Sequence, residues 1–153
     1  MNRYFIFVFV LLFTLPMINS IPHQLHKRST QFKECKNSPP LINVKLSPDP
    51  IVSGKTDTIT ISGKLKLPIT KFSNFFVAFS DPDTGELIDS LSVPICDTDG
   101  IKCPVDEGTE FTAKSDFSIP ADLPKRFGLE VIVTSPPNHV IGCALAPAPP
   151  ATP

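Results

Sequence analysis

Residues 57–67 alternate between polar and apolar side chains. Ile59, Ile61, Leu65 and Leu67 share one side, and Thr58, Thr60, Ser62, Lys64 and Lys66 the other. A period of two predicts a strand with one buried face. Gly63 interrupts the apolar side, as at a bulge or a close backbone approach. Residues 41–46 (LINVKL) predict a shorter strand, closed by the rigid turn Ser47, Pro48, Asp49, Pro50. Residues 74–80 (NFFVAFS) are apolar on both sides, which predicts a more central strand. Residues 86–95 hold another strand, cut by Pro94. Residues 109–119 alternate through Phe111 and Ala113 and then reach Phe117. Phe127, Leu129, Val131 and Val133 alternate with Gly128, Glu130 and Thr134. Residues 140–145 form the last strand and carry Cys143.

Turn chemistry separates these runs, at DPDTG (81–85) and SPPN (135–138) among others. No amphipathic helix competes with them. The 18 prolines disfavour long helices, since each removes a backbone donor and clashes within a helix. About seven antiparallel strands predict an all-β, two-sheet sandwich. The absence of Trp and the long Cys35–Cys143 separation depart from the signature of a true immunoglobulin domain.

The chain of 153 residues suits one domain. Its start lies outside the strand pattern. A positive Met1–Arg3 stretch, an apolar run over residues 4–18 and a small Ser20 read as a secretory signal peptide over residues 1–20. The run is shorter than the ~20 residues a membrane-spanning helix needs. Residues 21–28 (IPHQLHKR) end in Lys27 and Arg28, either a processing site that closes a propeptide or an ordinary flexible leader. The domain itself is expected over residues 29–146. Residues 147–153 (PAPPATP) form a proline-rich tail, extended or disordered.

Cleavage after Arg28 removes three of the 14 basic residues and none of the 15 acids, leaving a net charge of −4. Neither that charge nor any basic block suits nucleic-acid binding, which needs clustered Lys and Arg.

Passage through the secretory route means oxidising conditions, in which four cysteines make two disulfides. Three connectivities exist. Cys96 and Cys103 bracket a six-residue loop with the turn pair Asp99 and Gly100, while Cys35 and Cys143 lie near the two ends of the mature chain. The expected bridges are therefore Cys96–Cys103 and Cys35–Cys143. The longer loop is worth ~4–5 kcal/mol in the chain-entropy model. A metal site is the alternative use of cysteine, but the six-residue gap exceeds the usual C-x₂₋₄-C pairing, so no metal is expected.

Catalysis finds little support. No nucleophile elbow, zinc-protease motif or phosphate-cradling glycine loop occurs. The carboxylates cluster at turns: Asp81 with Asp83, Asp97 with Asp99, Asp106 with Glu107. Turn chemistry explains them more simply than a glycosidase pair does. DPDTG resembles part of a calcium loop but lacks the later ligands and flanking helices of an EF-hand. No enzyme activity and no cofactor are expected.

The inward side chains remain ambiguous. Ile61, Val77, Phe79, Phe111 and Val131 would serve a packed core or the wall of a ligand cavity equally well.

The ordered set Phe32, Lys33, Glu34, Cys35; Ser47, Pro48, Asp49, Pro50; Gly54, Lys55 before Ile59 and Ile61; Cys96; Cys103, Pro104, Val105; Pro120; Cys143 resembles the ML lipid-recognition family over roughly residues 32–145. The pattern is most similar to the fungal phosphatidylglycerol/phosphatidylinositol transfer proteins and is also similar to the small soluble Niemann–Pick type C sterol carrier. The resemblance implies an immunoglobulin-like sandwich with a lipid cavity between its sheets, and the same two disulfides. It also implies a third disulfide in the sterol carriers, beginning where this chain has Asp49. Phe111 takes the place of an aromatic that the carriers set after their Cys-Pro. Ala113 stands where the sterol carriers have a second aromatic, which widens the slot for a two-chain lipid.

On that resemblance the candidate cavity wall comprises Ile59, Ile61, Leu65, Val77, Phe79, Phe111, Ala113, Val131 and Val133. Pro120 borders the mouth, or simply turns the chain, and residues 120–126 serve as a gate. The implied function is transfer of single phospholipids by a monomer that touches membranes transiently and is secreted or held in a vacuolar or lysosomal lumen. Sterol transport is the alternative ligand. An extracellular β-sandwich interaction module without lipid is the alternative from another class; it would pack its core and expose an apolar patch.

Overall fold

The structure, a computed structural model, describes residues 29–36 and 39–148. The segments expected to be a signal peptide and a dibasic processing site, and most of the proline-rich tail, lie outside the described residues. Seven strands follow in order: β1 (Asn43–Ser47), β2 (Thr56–Lys64), β3 (Asn74–Ser80), β4 (Leu87–Pro94), β5 (Glu110–Ser118), β6 (Gly128–Ser135) and β7 (His139–Ala146). A 3₁₀ turn, Ile95–Asp97, follows β4. Among the described residues no helix is long and apolar enough to cross a membrane.

Two antiparallel sheets face each other, with strand orders β1-β2-β5 and β4-β3-β6-β7. This is the expected sandwich. The run apolar on both sides, β3, lies inside its sheet between β4 and β6. Phe75, Val77 and Phe79 point inward from it, while Phe76 and Ala78 are half-buried on the outer face. Pro94 ends β4 opposite Asn74, at the sheet edge where a missing N–H costs least. Leu67 breaks the expected alternation. Pairing of β2 with β5 stops at Lys64 opposite Glu110, so Leu65 still turns inward but Leu67 is 48% exposed.

The loops protect sheet edges. The segment before β1 runs beside β7: Lys33 and Leu145 exchange N–H···O bonds at 2.9 Å, and the Cys143 N–H donates to the Pro40 carbonyl at 3.0 Å. The Cys35–Cys143 disulfide fastens that segment, with Cα atoms 6.0 Å apart. The Cys96–Cys103 disulfide closes a loop whose Asp99 exchanges two backbone bonds with Lys114 on the outer edge of β5. Both expected bridges are present, and each places backbone donors against an otherwise open strand.

Candidate functional site

Period-two alternation drives one face of β2, β3, β5 and β6 between the sheets. From the three-stranded sheet come Ile59 and Ile61 on β2 and Phe111 and Ala113 on β5, with Leu65 just beyond β2. From the other come Val77 and Phe79 on β3 and Val131 and Val133 on β6. These nine residues are buried together in one core cluster. Ala113 lies opposite Ile61, and Val77 opposite Val131. Pro120 is half-buried in the connection after β5. The Gly54 N–H is shared between its carbonyl, at 3.1 Å, and that of Ile119, at 3.2 Å.

A cavity of about 450 Å³ opens at the end of the sandwich where β1 approaches β6 and β7. That volume falls within the range of small-molecule sites, about 300–1,000 Å³. Leu46, Pro50, Ile51, Phe127, Leu129 and Ala146 give it apolar walls; Ser29, Thr30, Gln31 and Lys125 add polar groups; Pro147 and Ala148 complete it. None of the ten expected wall residues lines this cavity, yet the two regions adjoin. Ile51, Leu129 and Ala146 belong to the inter-sheet core, and Phe127 meets Phe79 edge-on at 5.6 Å. The apolar floor of the cavity and the inter-sheet packing are one continuous body.

Leu129 and Phe127 share the alternation that marks Val131 and Val133, so period two could have found them. Pro50, Ile51 and the residues at either end of the domain converge only through the folded topology.

The polar groups at this end are organised by two acids. Asp49 accepts the Thr30 N–H at 3.0 Å and the Thr30 hydroxyl at 2.6 Å. Asp57 lies on the inward side of β2, 1% exposed, where its Oδ1 accepts the Ser47 N–H at 3.0 Å. Its Oδ2 has no hydrogen-bond partner among the described residues. Burial pushes the Asp57 carboxyl above its ordinary pKa; the Ser47 N–H pulls it down, and the charge of Asp49 pushes it further up.

Two other acids have structural explanations. Asp81 Oδ1 accepts the N–H groups of Asp83 and Thr84 at 2.8 and 2.9 Å, which holds the DPDTG turn and lowers its pKa. Glu130, raised by burial, sits with its Oε1 3.2 Å from Cys143 Sγ. Cys35 and Cys143 are joined in a disulfide, so this trio offers no thiolate to a metal.

The ML domain profile matches residues 29–149. No curated protein sequence matches the chain. A Niemann-Pick type C2 protein from the Japanese carpenter ant has the same fold, with a TM-score of 0.61 at 16% identity over 76% of this chain and 96% of that one. Chicken MD-1, complexed with lipid IVa, aligns with a TM-score of 0.53 at 17% identity over 74% of this chain and 83% of its own. At such identities the likeness is one of fold. The profile match spans most of the chain, and with it this protein belongs to the ML domain family, whose members bind lipids and are not enzymes.

Proposed function

We propose that this ML domain carries one phospholipid at a time, of the phosphatidylglycerol or phosphatidylinositol type, between membranes of the secretory route. The observation that carries this reading is the apolar cavity at the open end of the sandwich, whose floor continues into the inter-sheet core. Each CH₂ moved from water into such surroundings gains ~0.8 kcal/mol. An acyl chain entering past Phe127 would next meet Phe79, then Val77 and Val131 on one sheet and Ile59, Ile61, Leu65, Phe111 and Ala113 on the other. These side chains are packed together in one core cluster, so a long chain is admitted by parting the sheets. Val133 and Pro120 complete the proposed wall and its border. Lipid IVa in the likeness to MD-1 supports a lipid in this fold.

Ala113 and Asp49 favour phospholipid over sterol. A small residue leaves width for flexible chains, and Asp49 replaces the cysteine that begins the third bridge of the sterol carriers. Sterol transport is the second reading; it rests on the resemblance of the sequence pattern to the small soluble Niemann–Pick type C sterol carrier, and the carpenter ant Niemann-Pick type C2 protein shares the fold.

Val52, 43% exposed in the turn after β1, and the exposed Lys55 and Lys125 suit transient contact with a bilayer at this end. Residues 120–126 reach the cavity through Lys125 and form the proposed gate. Two disulfides suit an extracellular or lumenal protein, which in this reading acts as a monomer.

Native mass spectrometry of the disulfide-bonded protein after exposure to mixed lipid vesicles tests the proposal. A one-to-one phospholipid complex supports it, and a sterol complex selects the second reading. Protein that stays empty is the result expected of an interaction module.

A further inference from the structure

The inward face of β2 begins with an acid. Asp57, Ile59 and Ile61 share that face and all are buried. The cross-strand neighbour of Asp57 on β5 is Phe117, another core residue. One carboxylate oxygen is occupied by the Ser47 N–H, and the other has no partner among the described residues. A buried acceptor left unpaired is expensive, and any donor that reaches it relieves that cost.

The surroundings restrict the donor. Asp49 lies close enough for its charge to act on Asp57, and its own oxygens are engaged by Thr30. Two neighbouring carboxylates disfavour an anionic oxygen, of a phosphate or a fatty acid, in direct contact with Oδ2, and leave that contact to an uncharged donor elsewhere on the lipid. A neutral hydroxyl donates to a carboxylate without that penalty and makes a short, strong bond.

The position is that of a junction. Ser47, held by Asp57, follows Leu46 and leads within four residues to Pro50 and Ile51, and these three line the cavity. Ile59 and Ile61 lead away from Asp57 into the proposed slot. We propose that Asp57 is the polar end of the lipid site, its Oδ2 accepting a hydrogen bond from a hydroxyl on the bound lipid. This inference rests on the lipid-carrier reading. Head-group hydroxyls and the sterol hydroxyl offer the same chemistry, and the test separates them.

Two probe pairs differ chiefly in hydroxyl content: dioleoyl phosphatidylglycerol against dioleoyl phosphatidylethanol, and cholesterol against cholestane. Competition within each pair is read by native mass spectrometry on the disulfide-bonded protein. The wild type is expected to favour the hydroxyl member of one pair about tenfold, as one charge-assisted hydrogen bond allows. The pair that responds identifies the source of the hydroxyl. Asp57→Leu and Asp57→Val both remove the acceptor and put no new donor in its place. Both variants are expected to lose the preference and still bind the hydroxyl-free lipid. Lipid bound by the wild type with no preference in either pair overturns the inference and leaves the carrier reading intact, and this comparison needs no variant to fold. A preference that survives in a folded variant also overturns it. Binding of none of the four probes overturns the carrier reading and this inference together.

Discussion

Asp49 and Thr30, 19 residues apart, are joined by the threonine hydroxyl at 2.6 Å and its N–H at 3.0 Å. The tie connects the turn after β1 to the N-terminal segment, and both elements flank the cavity. It occupies the place where the resemblance to sterol carriers sets a cysteine. Hydrogen bonds to a charged acceptor are worth about 1.5–3 kcal/mol when shielded and less at a half-buried site. Asp49→Ala is expected to lower the unfolding free energy by about 1–2 kcal/mol. It should also speed amide exchange at Thr30. Denaturant melts and hydrogen exchange measure both. An unchanged melt with unchanged exchange would mean that the tie does not hold the segment.

Burial raises the pKa of Asp57, so the folded protein holds its proton more tightly than the unfolded chain does. The contribution of Asp57 to stability is therefore greatest below its unfolded pKa and is lost as pH rises through its folded pKa. Glu130, also raised by burial, acts in the same direction. Asp81 acts oppositely, because its pKa is lowered; its contribution is lost as pH falls. Comparing Asp57→Asn with the wild type isolates the first effect. The variant should gain relative stability as pH rises from the acid limb to neutrality. Melting curves across that range check it, and a pH-independent difference would contradict it.

Much of this architecture was legible because alternation is a local signal. β2 and β6 announce their inward faces through Ile59 and Ile61 and through Val131 and Val133, and both survive into the core. Asp57 has the same parity as Ile59, so its burial was also readable, although an acid in that register invites assignment to the turn instead. Leu67 followed the pattern and failed it, because strand pairing ends at Lys64. The cavity was largely hidden. Ile51, Phe127 and Ala146 meet across long sequence separations, through the order of strands in two sheets, which alternation does not encode.

The two disulfides close loops of very different length, with separations of 108 and 7 residues. In the chain-entropy model the first contributes ~4–5 kcal/mol and the second ~2–3 kcal/mol. Cys35→Ala with Cys143→Ala should therefore destabilise the domain more than Cys96→Ala with Cys103→Ala. The first pair also releases the strip beside β7, while the second frees the loop over β5. Guanidinium unfolding of both double variants ranks them. Equal losses would point to native-state contacts, and not loop closure, as the main source of stabilisation.

Ala113 offers the sharpest test of ligand shape. It is fully buried on β5 opposite Ile61, within the proposed slot. A methyl group there leaves the facing space to be filled by Ile61 and by whatever enters between the sheets. Phe at this position adds a ring that the packed core must displace, with a cost of about 1–3 kcal/mol from overpacking. The same ring narrows the slot along its length. Two flexible acyl chains need that width, whereas a flat sterol can lie against an aromatic face. Ala113→Phe is therefore expected to lose phosphatidylglycerol binding by about tenfold or more, the loss of one to two buried methylenes at each chain. Sterol binding should be retained or gained. Mass-spectrometric competition between the two lipids, on variant protein shown by melting to be folded, gives the ratio directly. A ratio unchanged from the wild type would remove Ala113 from the ligand wall and return it to ordinary packing.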